Sequence, residues 1–174
     1  MERPPTGRLA WVKRMMRGAR GEKGSALVEF AVVVVVLVTF MMGIMDFSRF
    51  LYTYHHISNA AREGARWAAV RGSSWSATCS TPLAVSFDCR ATTADVQSYV
   101  ASITPPGIST DSTVLQVLPT WPGTDPTGVS CGSTLNSPGC VVNVQLTYAF
   151  KFMFAVLPLP TFNITSTSQM VILQ

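Results

Sequence analysis

Charged residues are scarce in this chain of 174 residues. They make up 13% of it, whereas soluble proteins average about 25%. Hydrophobic residues make up 48%, which excludes a disordered chain of the charged, polar kind because there is ample apolar surface to bury. The length predicts one domain of ordinary size.

Basic residues are also scarce outside the N-terminal tail. Residues 1–24 hold seven of the 13 Lys and Arg and two of the 9 Asp and Glu, so residues 25–174 carry six positive and seven negative charges, a net of −1. A nucleic-acid-binding groove needs its cations in the folded part of the chain, so we expect no nucleic-acid partner. Positive charge ahead of a hydrophobic run predicts instead that the tail stays in the cytoplasm and the rest lies outside.

Catalytic and metal-binding motifs are missing as well. The two histidines, His55 and His56, are adjacent, and neighbours on a helix point about 100° apart, so they do not share a metal ion. The sequence has no G-x-S-x-G elbow and no glycine-rich phosphate loop. Its cysteines lack the C-x-x-C spacing that is typical of zinc sites. We therefore expect no catalytic residues, no cofactor and no metal site.

A long apolar run is present from Ser25 to Met45. Its 21 residues contain one charge, Glu29, and at about 1.5 Å per residue they span the roughly 30 Å of a hydrocarbon core. A cleaved secretory signal would have a shorter core followed by a small-x-small site, which the residues after Met45 do not supply. We therefore predict a retained single-pass membrane anchor.

Helical periodicity continues beyond this run, with no proline before Pro82. Apolar or small side chains recur every three or four residues from Phe47 to Ala68, which predicts one helix from Ser25 to about Arg71. Small residues at spacing four, which allow another backbone to approach closely, form a possible packing face in its outer half: Ala60, Ala61, Gly64, Ala65 and Ala68. This face packs against the chain's own C-terminal region or a neighbouring subunit, unless it is simply an exposed, alanine-rich surface.

The rest of the sequence predicts a small α+β head. Residues 95–103 indicate a short helix and residues 114–118 a short strand. Residues 142–152 alternate between apolar and polar side chains, which predicts a strand with one buried face, and residues 164–173 would pair with it antiparallel after a turn at 157–160. Such a strand pair needs a helix over its apolar face, and the outer half of the long helix is the expected cover.

Four cysteines follow the membrane run: Cys79, Cys89, Cys131 and Cys140. An even number in an exported, oxidising location predicts disulfides, with three connectivities open. We favour local pairing of the first with the second and of the third with the fourth, since this would close two polar loops that have little core of their own.

The junction of the basic tail and the apolar run reads Lys-Gly-Ser-Ala-Leu-Val-Glu-Phe, at residues 23–30. It resembles the class III signal of type IV pilins and pseudopilins, and its Glu-Phe pair resembles that of the Flp pilin branch. The resemblance implies that a prepilin peptidase cuts after Gly24 and leaves Ser25 as the new N-terminus. It also implies that Glu29 and Phe30 serve in assembly.

Two further stretches are similar to the TadE family, pilin-like proteins of the tight adherence (Tad) pilus system. They read Met-Asp-Phe-Ser-Arg at residues 45–49 and Ser-Asn-Ala-Ala-Arg-Glu-Gly-Ala-Arg at residues 58–66. The resemblance is close over residues 20–71, whereas residues 72–174 match only in general layout. It implies a pilin-like α+β fold in which a long N-terminal helix packs on a small head with an antiparallel sheet.

This resemblance implies a division into four segments: a cytoplasmic leader at 1–24, a transmembrane half-helix at 25–45, an amphipathic half-helix at 46–71 and an extracytoplasmic head at 72–174. The implied function is that of a pseudopilin or minor pilin, a structural subunit for assembly or priming of a Tad/Flp-type pilus. Its implied partners are the inner membrane, the prepilin peptidase, other pilins and pseudopilins, and the Tad machinery. The alternative is an anchored extracytoplasmic binding protein that keeps its N-terminal segment.

Overall fold

A computed structural model describes residues 22–75, 77–78, 89–132, 136–153 and 161–173. The chain divides into two units, Met1–Met45 and Asp46–Gln174. Helix α1, Glu22–Ala69, contributes residues to both. The boundary therefore falls within a continuous helix, at the end of the apolar run.

The described part of the first unit consists of the N-terminal half of α1. The helix begins at Glu22, three residues before the predicted start, and it is long and apolar enough to be a candidate membrane span. Within the run, the Thr39 hydroxyl is satisfied by the helix itself, because Oγ1 donates to the Val35 carbonyl at 2.8 Å. The large apolar side chains along this half are mostly exposed, a surface that favours lipid over water.

The second unit adds six elements to the C-terminal half of α1. They are β1 (Ala77–Thr78), β2 (Cys89–Arg90), α2 (Thr93–Ser102), β3 (Leu115–Thr120), β4 (Val141–Phe150) and β5 (Phe162–Val171). Strands β1 and β2 form a short parallel pair that the sequence did not predict. The other four elements correspond to the predicted short helix and three strands.

Strands β3, β4 and β5 form an antiparallel sheet with β4 in the centre. Val144 of β4 lies opposite Pro119 of β3 on one side and Ser168 of β5 on the other. Proline is tolerated at this position because β3 is an edge strand. The β4–β5 ladder ends at the pair Phe150 and Phe162. Strand β4 therefore ends two residues before its predicted end at residue 152, and β5 begins two residues before its predicted start at residue 164. The predicted turn at residues 157–160 lies outside the described residues.

Helix α2 begins with a reciprocal capping box. The Thr92 hydroxyl accepts from the Asp95 N–H at 3.4 Å, and the Asp95 carboxylate accepts from the Thr92 N–H at 2.9 Å. Two N–H groups that the first turn leaves without helical partners are thereby satisfied. Gln97 Nε2 donates to the Val117 carbonyl at 3.0 Å and so joins α2 to the edge of the sheet.

The core of the second unit lies between α1, α2 and one face of the sheet. In β4 the alternate residues from Val142 to Phe150 are buried, whereas Gln145 on the other face is exposed. The predicted period-two pattern of this strand is therefore confirmed. The core side chains that are fully buried include Ile57, Val96, Val100, Val142, Val144 and Leu146.

Candidate processing and assembly site

The predicted processing site lies in the first turn of α1. Gly24 and Ser25 are both exposed, and a Cβ on Gly24 would meet no described atom within 4 Å beyond its chain neighbours and the adjacent helix backbone. The N–H groups of a first helical turn have no partners within the helix, so this turn unwinds at lower cost than the helix interior. The leader up to Gly21 lies outside the described residues.

Glu29 and Phe30 both project from the apolar half of α1. Phe30 is 68% exposed, and Glu29 is exposed with no ion-pair partner among the described residues. An ionised carboxylate costs a few kcal/mol at the bilayer centre and less near the interface. The Glu29 carboxylate is therefore open to a cation supplied from outside the described chain.

The small-residue face of α1 is buried inside the second unit. Ala60, Ala61, Ala65 and Ala68 are at most 1% exposed. A Cβ built on Gly64 would lie 3.1 Å from Val100 Cγ2 of α2 and 3.5 Å from Val144 Cγ1 of β4. Of the partners left open by the sequence, the structure thus places the chain's own head against this face.

Asp46 ties the start of the second unit to the end of β4, a role that the sequence analysis missed. Its side chain is nearly buried, and Oδ1 accepts from Arg49 Nη1 at 3.3 Å and from the Met153 N–H at 3.2 Å. The hydrogen bond to Met153 joins residues 107 positions apart. An isolated acid directly after an apolar run, with Arg three residues later, was the available signal.

An aromatic cluster also packs the start of the second unit in α1 against the end of β4. The Phe50 ring of α1 makes edge contacts with Phe150 at 5.5 Å and with Phe162 at 5.7 Å between centroids. The Phe150 and Phe152 rings are 5.1 Å apart, also edge to face. Edge-to-face pairs of this kind add about 0.5–1.5 kcal/mol beyond burial.

The C-terminal end of α1 is held by a second group that the sequence analysis missed. The Arg71 guanidinium lies over the Trp67 ring at 4.3 Å and donates to the Trp67 carbonyl at 3.2 Å. Burial lowers the pKa of Arg71. The buried Asn136 amide donates to the carbonyls of Arg71 and Ala91, each at 3.2 Å. These contacts fix the chain where it leaves the helix.

The described cysteines are oxidised. Cys131 and Cys140 form a disulfide with their Cα atoms 5.9 Å apart. Cys89 is also disulfide-bonded, and Cys79 lies outside the described residues. The third and fourth cysteines are thus paired as the loop argument favoured.

The described residues contain no group of three or more His, Cys, Asp or Glu placed to hold a metal ion. His55 is exposed, and burial lowers the pKa of the half-buried His56.

Hydrogen bonds from the Thr127 hydroxyl and the Val129 N–H lower the pKa of Asp125. This carboxylate caps its own loop, as its bonds to Thr127 and Val129 at 2.6–2.9 Å show.

The fold defines a class of protein, an α+β head on a long apolar N-terminal helix. The model of the TadE-like protein family matches residues 24–66, which confirms the resemblance seen in that segment. The family is associated with the Tad pilus. No curated protein and no solved structure matched the chain.

Proposed function

We propose that the chain is a TadE-like pseudopilin or minor pilin, a structural subunit for assembly or priming of a Tad/Flp-type pilus. The observation that carries this proposal is the family match, which begins at Gly24 and ends at residue 66 within α1. It includes the processing motif, the Glu29–Phe30 pair and most of the small-residue face. The resemblance therefore lies in the helix, the part through which subunits of such a system would assemble.

Processing is the first step of the proposed function. A prepilin peptidase at the cytoplasmic side of the inner membrane would cut between Gly24 and Ser25 and free a positive α-amino group on Ser25. The exposed Glu29 carboxylate would then neutralise the N-terminus of an adjacent subunit. Because a charge pair in a low-dielectric medium depends steeply on distance, this contact would select one axial register between subunits.

The burial pattern supports subunit contacts along the membrane half of α1. The small-residue face of the outer half is filled by the chain's own head, with Gly64 against α2 and β4. The apolar side chains of residues 25–45 have no such cover among the described residues. Neighbouring helices would therefore pack on the membrane half, and the head would remain extracytoplasmic, either at the membrane or within a pilus.

N-terminal sequencing of protein from host membranes tests the proposal, and we expect the mature chain to begin at Ser25. Gly24→Arg should block cleavage but leave the orientation unchanged, since the tail stays more positive than the head. Gly21→Arg adds the same charge upstream and should be processed normally. Recovery of an intact leader in cells with an active prepilin peptidase would contradict the proposed pilin function and favour an anchored protein that keeps its N-terminal segment.

A further inference from the structure

We propose that an apolar patch on the second unit rests on the outer surface of the membrane that α1 crosses. The patch, here called the collar, consists of Phe47, Met153 and Phe162, which are 60%, 63% and 54% exposed. Its occupant is the phospholipid surface. The inference rests on the membrane anchoring in the proposed function but is independent of pilus assembly.

The three collar residues lie beside contacts at the start of the second unit. Phe47 follows Asp46, whose carboxylate accepts the Met153 N–H at 3.2 Å. The Phe162 ring contacts Phe50, one turn further along α1, at 5.7 Å. The collar therefore joins the first turn of this part of α1 to the two strand ends of the β4–β5 hairpin.

Covalent connectivity places the collar close to the membrane. Asp46 is bonded to Met45, the last residue of the apolar run, and consecutive Cα atoms are about 3.8 Å apart. From Met45 to Phe50 the helix rises only about 8 Å. The headgroup region on each side of a bilayer is of similar depth, roughly 5–8 Å. Side chains packed against the turn from Asp46 to Phe50 therefore lie at the depth of the lipid headgroups.

The chemistry of the surrounding residues suits a lipid surface better than water. Between Lys151 and Asn163 the sequence contains no charged residue. Tyr52, which is 53% exposed, supplies the amphipathic ring that is typical of membrane interfaces. Arg49, Tyr52 and Lys151 line one surface cavity of about 380 Å³. At a membrane surface, apolar side chains enter the boundary between headgroups and acyl chains, and neighbouring cations bind the lipid phosphates.

The test uses the full chain in vesicles of phosphatidylethanolamine and phosphatidylglycerol. A single added cysteine carries an environment-sensitive dye at Met153→Cys, and labelling is done without reductant so that the native disulfides stay closed. Leu118→Cys is the matched control, because Leu118 is 53% exposed against 63% for Met153 but pairs with Gln145, five residues along β4 from Phe150. Val36→Cys marks the membrane span, and protein with no added cysteine gives the background.

We expect the Met153 dye to show blue-shifted emission, quenching by lipid-attached nitroxide and loss of quenching by aqueous iodide. The Leu118 dye should be quenched by iodide alone. If the Met153 dye behaves like the Leu118 dye while the Val36 dye remains in lipid, the proposed contact between collar and membrane is wrong, and the membrane anchoring by α1 is retained. If iodide also reaches the Val36 dye, the anchoring itself fails. Shielding of the Met153 dye from both quenchers would mean that a second copy of the chain covers the patch, which also overturns the proposal.

Discussion

At the residue scale, Gly64 shows how little space separates α1 from the rest of the second unit. A Cβ there would lie 3.1 Å from the fully buried Val100, closer than most real Cβ contacts, and 3.5 Å from Val144. Glycine costs about 1 kcal/mol relative to alanine inside a helix. At this position the close approach of α2 and β4 offsets that cost.

Gly64→Leu should therefore destabilise the head, because the added side chain has no room between Val100 and Val144. Overpacking of this kind costs about 1–3 kcal/mol, which denaturant unfolding of the detergent-solubilised protein, followed by tryptophan fluorescence, would measure. Gly43→Leu is the matched control: Gly43 is also helical, but a Cβ there would meet no described atom within 4 Å beyond its chain neighbours and the adjacent helix backbone. We expect no loss of head stability from it. Equal unfolding midpoints for the two variants would contradict the packing described here.

At the element scale, the Cys131–Cys140 disulfide closes a loop directly before β4. Its sequence separation is 9 residues. The Cys140 carbonyl accepts from the Ile172 N–H at 2.8 Å, and the Gly139 N–H donates to the Ile172 carbonyl at 2.9 Å. The disulfide thus anchors this loop where the central strand begins and β5 ends.

We expect all four cysteines to be oxidised in the exported protein, so that mass spectrometry after alkylation without reductant finds no modified thiol. Closing a loop of this size constrains the unfolded chain, and the double variant Cys131→Ser with Cys140→Ser should lose about 2–3 kcal/mol of stability. Ser130→Ala beside the disulfide should leave stability nearly unchanged, since surface substitutions usually do. Alkylation of any native cysteine in the folded protein would indicate a free thiol.

At the scale of the whole molecule, the two units suit different solvents. The first presents apolar side chains along the described part of its helix, whereas the second buries its apolar residues in a core. Seven of the 13 basic residues lie in the first 24 positions, a distribution that favours a cytoplasmic N-terminus. Assembly through the first unit would leave the fold of the second unit intact.

Glu29→Gln tests assembly at this scale. The substitution removes the charge that would pair with a neighbouring N-terminus, yet it keeps the apolar run and the cleavage motif. We expect the variant to insert and be cleaved nearly normally but to be lost from the pilus complex when the other pilus components are purified. Glu63→Gln, which removes an exposed acid paired with Arg66 at 3.4 Å, should co-purify normally. Normal co-purification of cleaved Glu29→Gln would leave Glu29 without a role in assembly.

The sequence by itself determined the two helices and the three strands of the antiparallel sheet, but not the short β1–β2 pair. Helical periodicity predicted α1 and α2, and alternation predicted β4 with its buried face, because these signals repeat over neighbouring residues. Strand ends were predicted only to within about two residues. The Gly24–Ser25 motif and the Glu29–Phe30 pair were also visible, since a short, contiguous stretch of chain carries them.

Only the tertiary structure decided which surfaces meet. The small-residue face could have packed on a neighbouring subunit, and its burial against Val100 and Val144 depends on residues far away in the chain. The contact of Asp46 with Met153 was missed for the same reason, as was that of Asn136 with Arg71. Such contacts form because folding brings distant segments together around a shared core, and no local pattern of residues records which distant partner will satisfy a buried polar group.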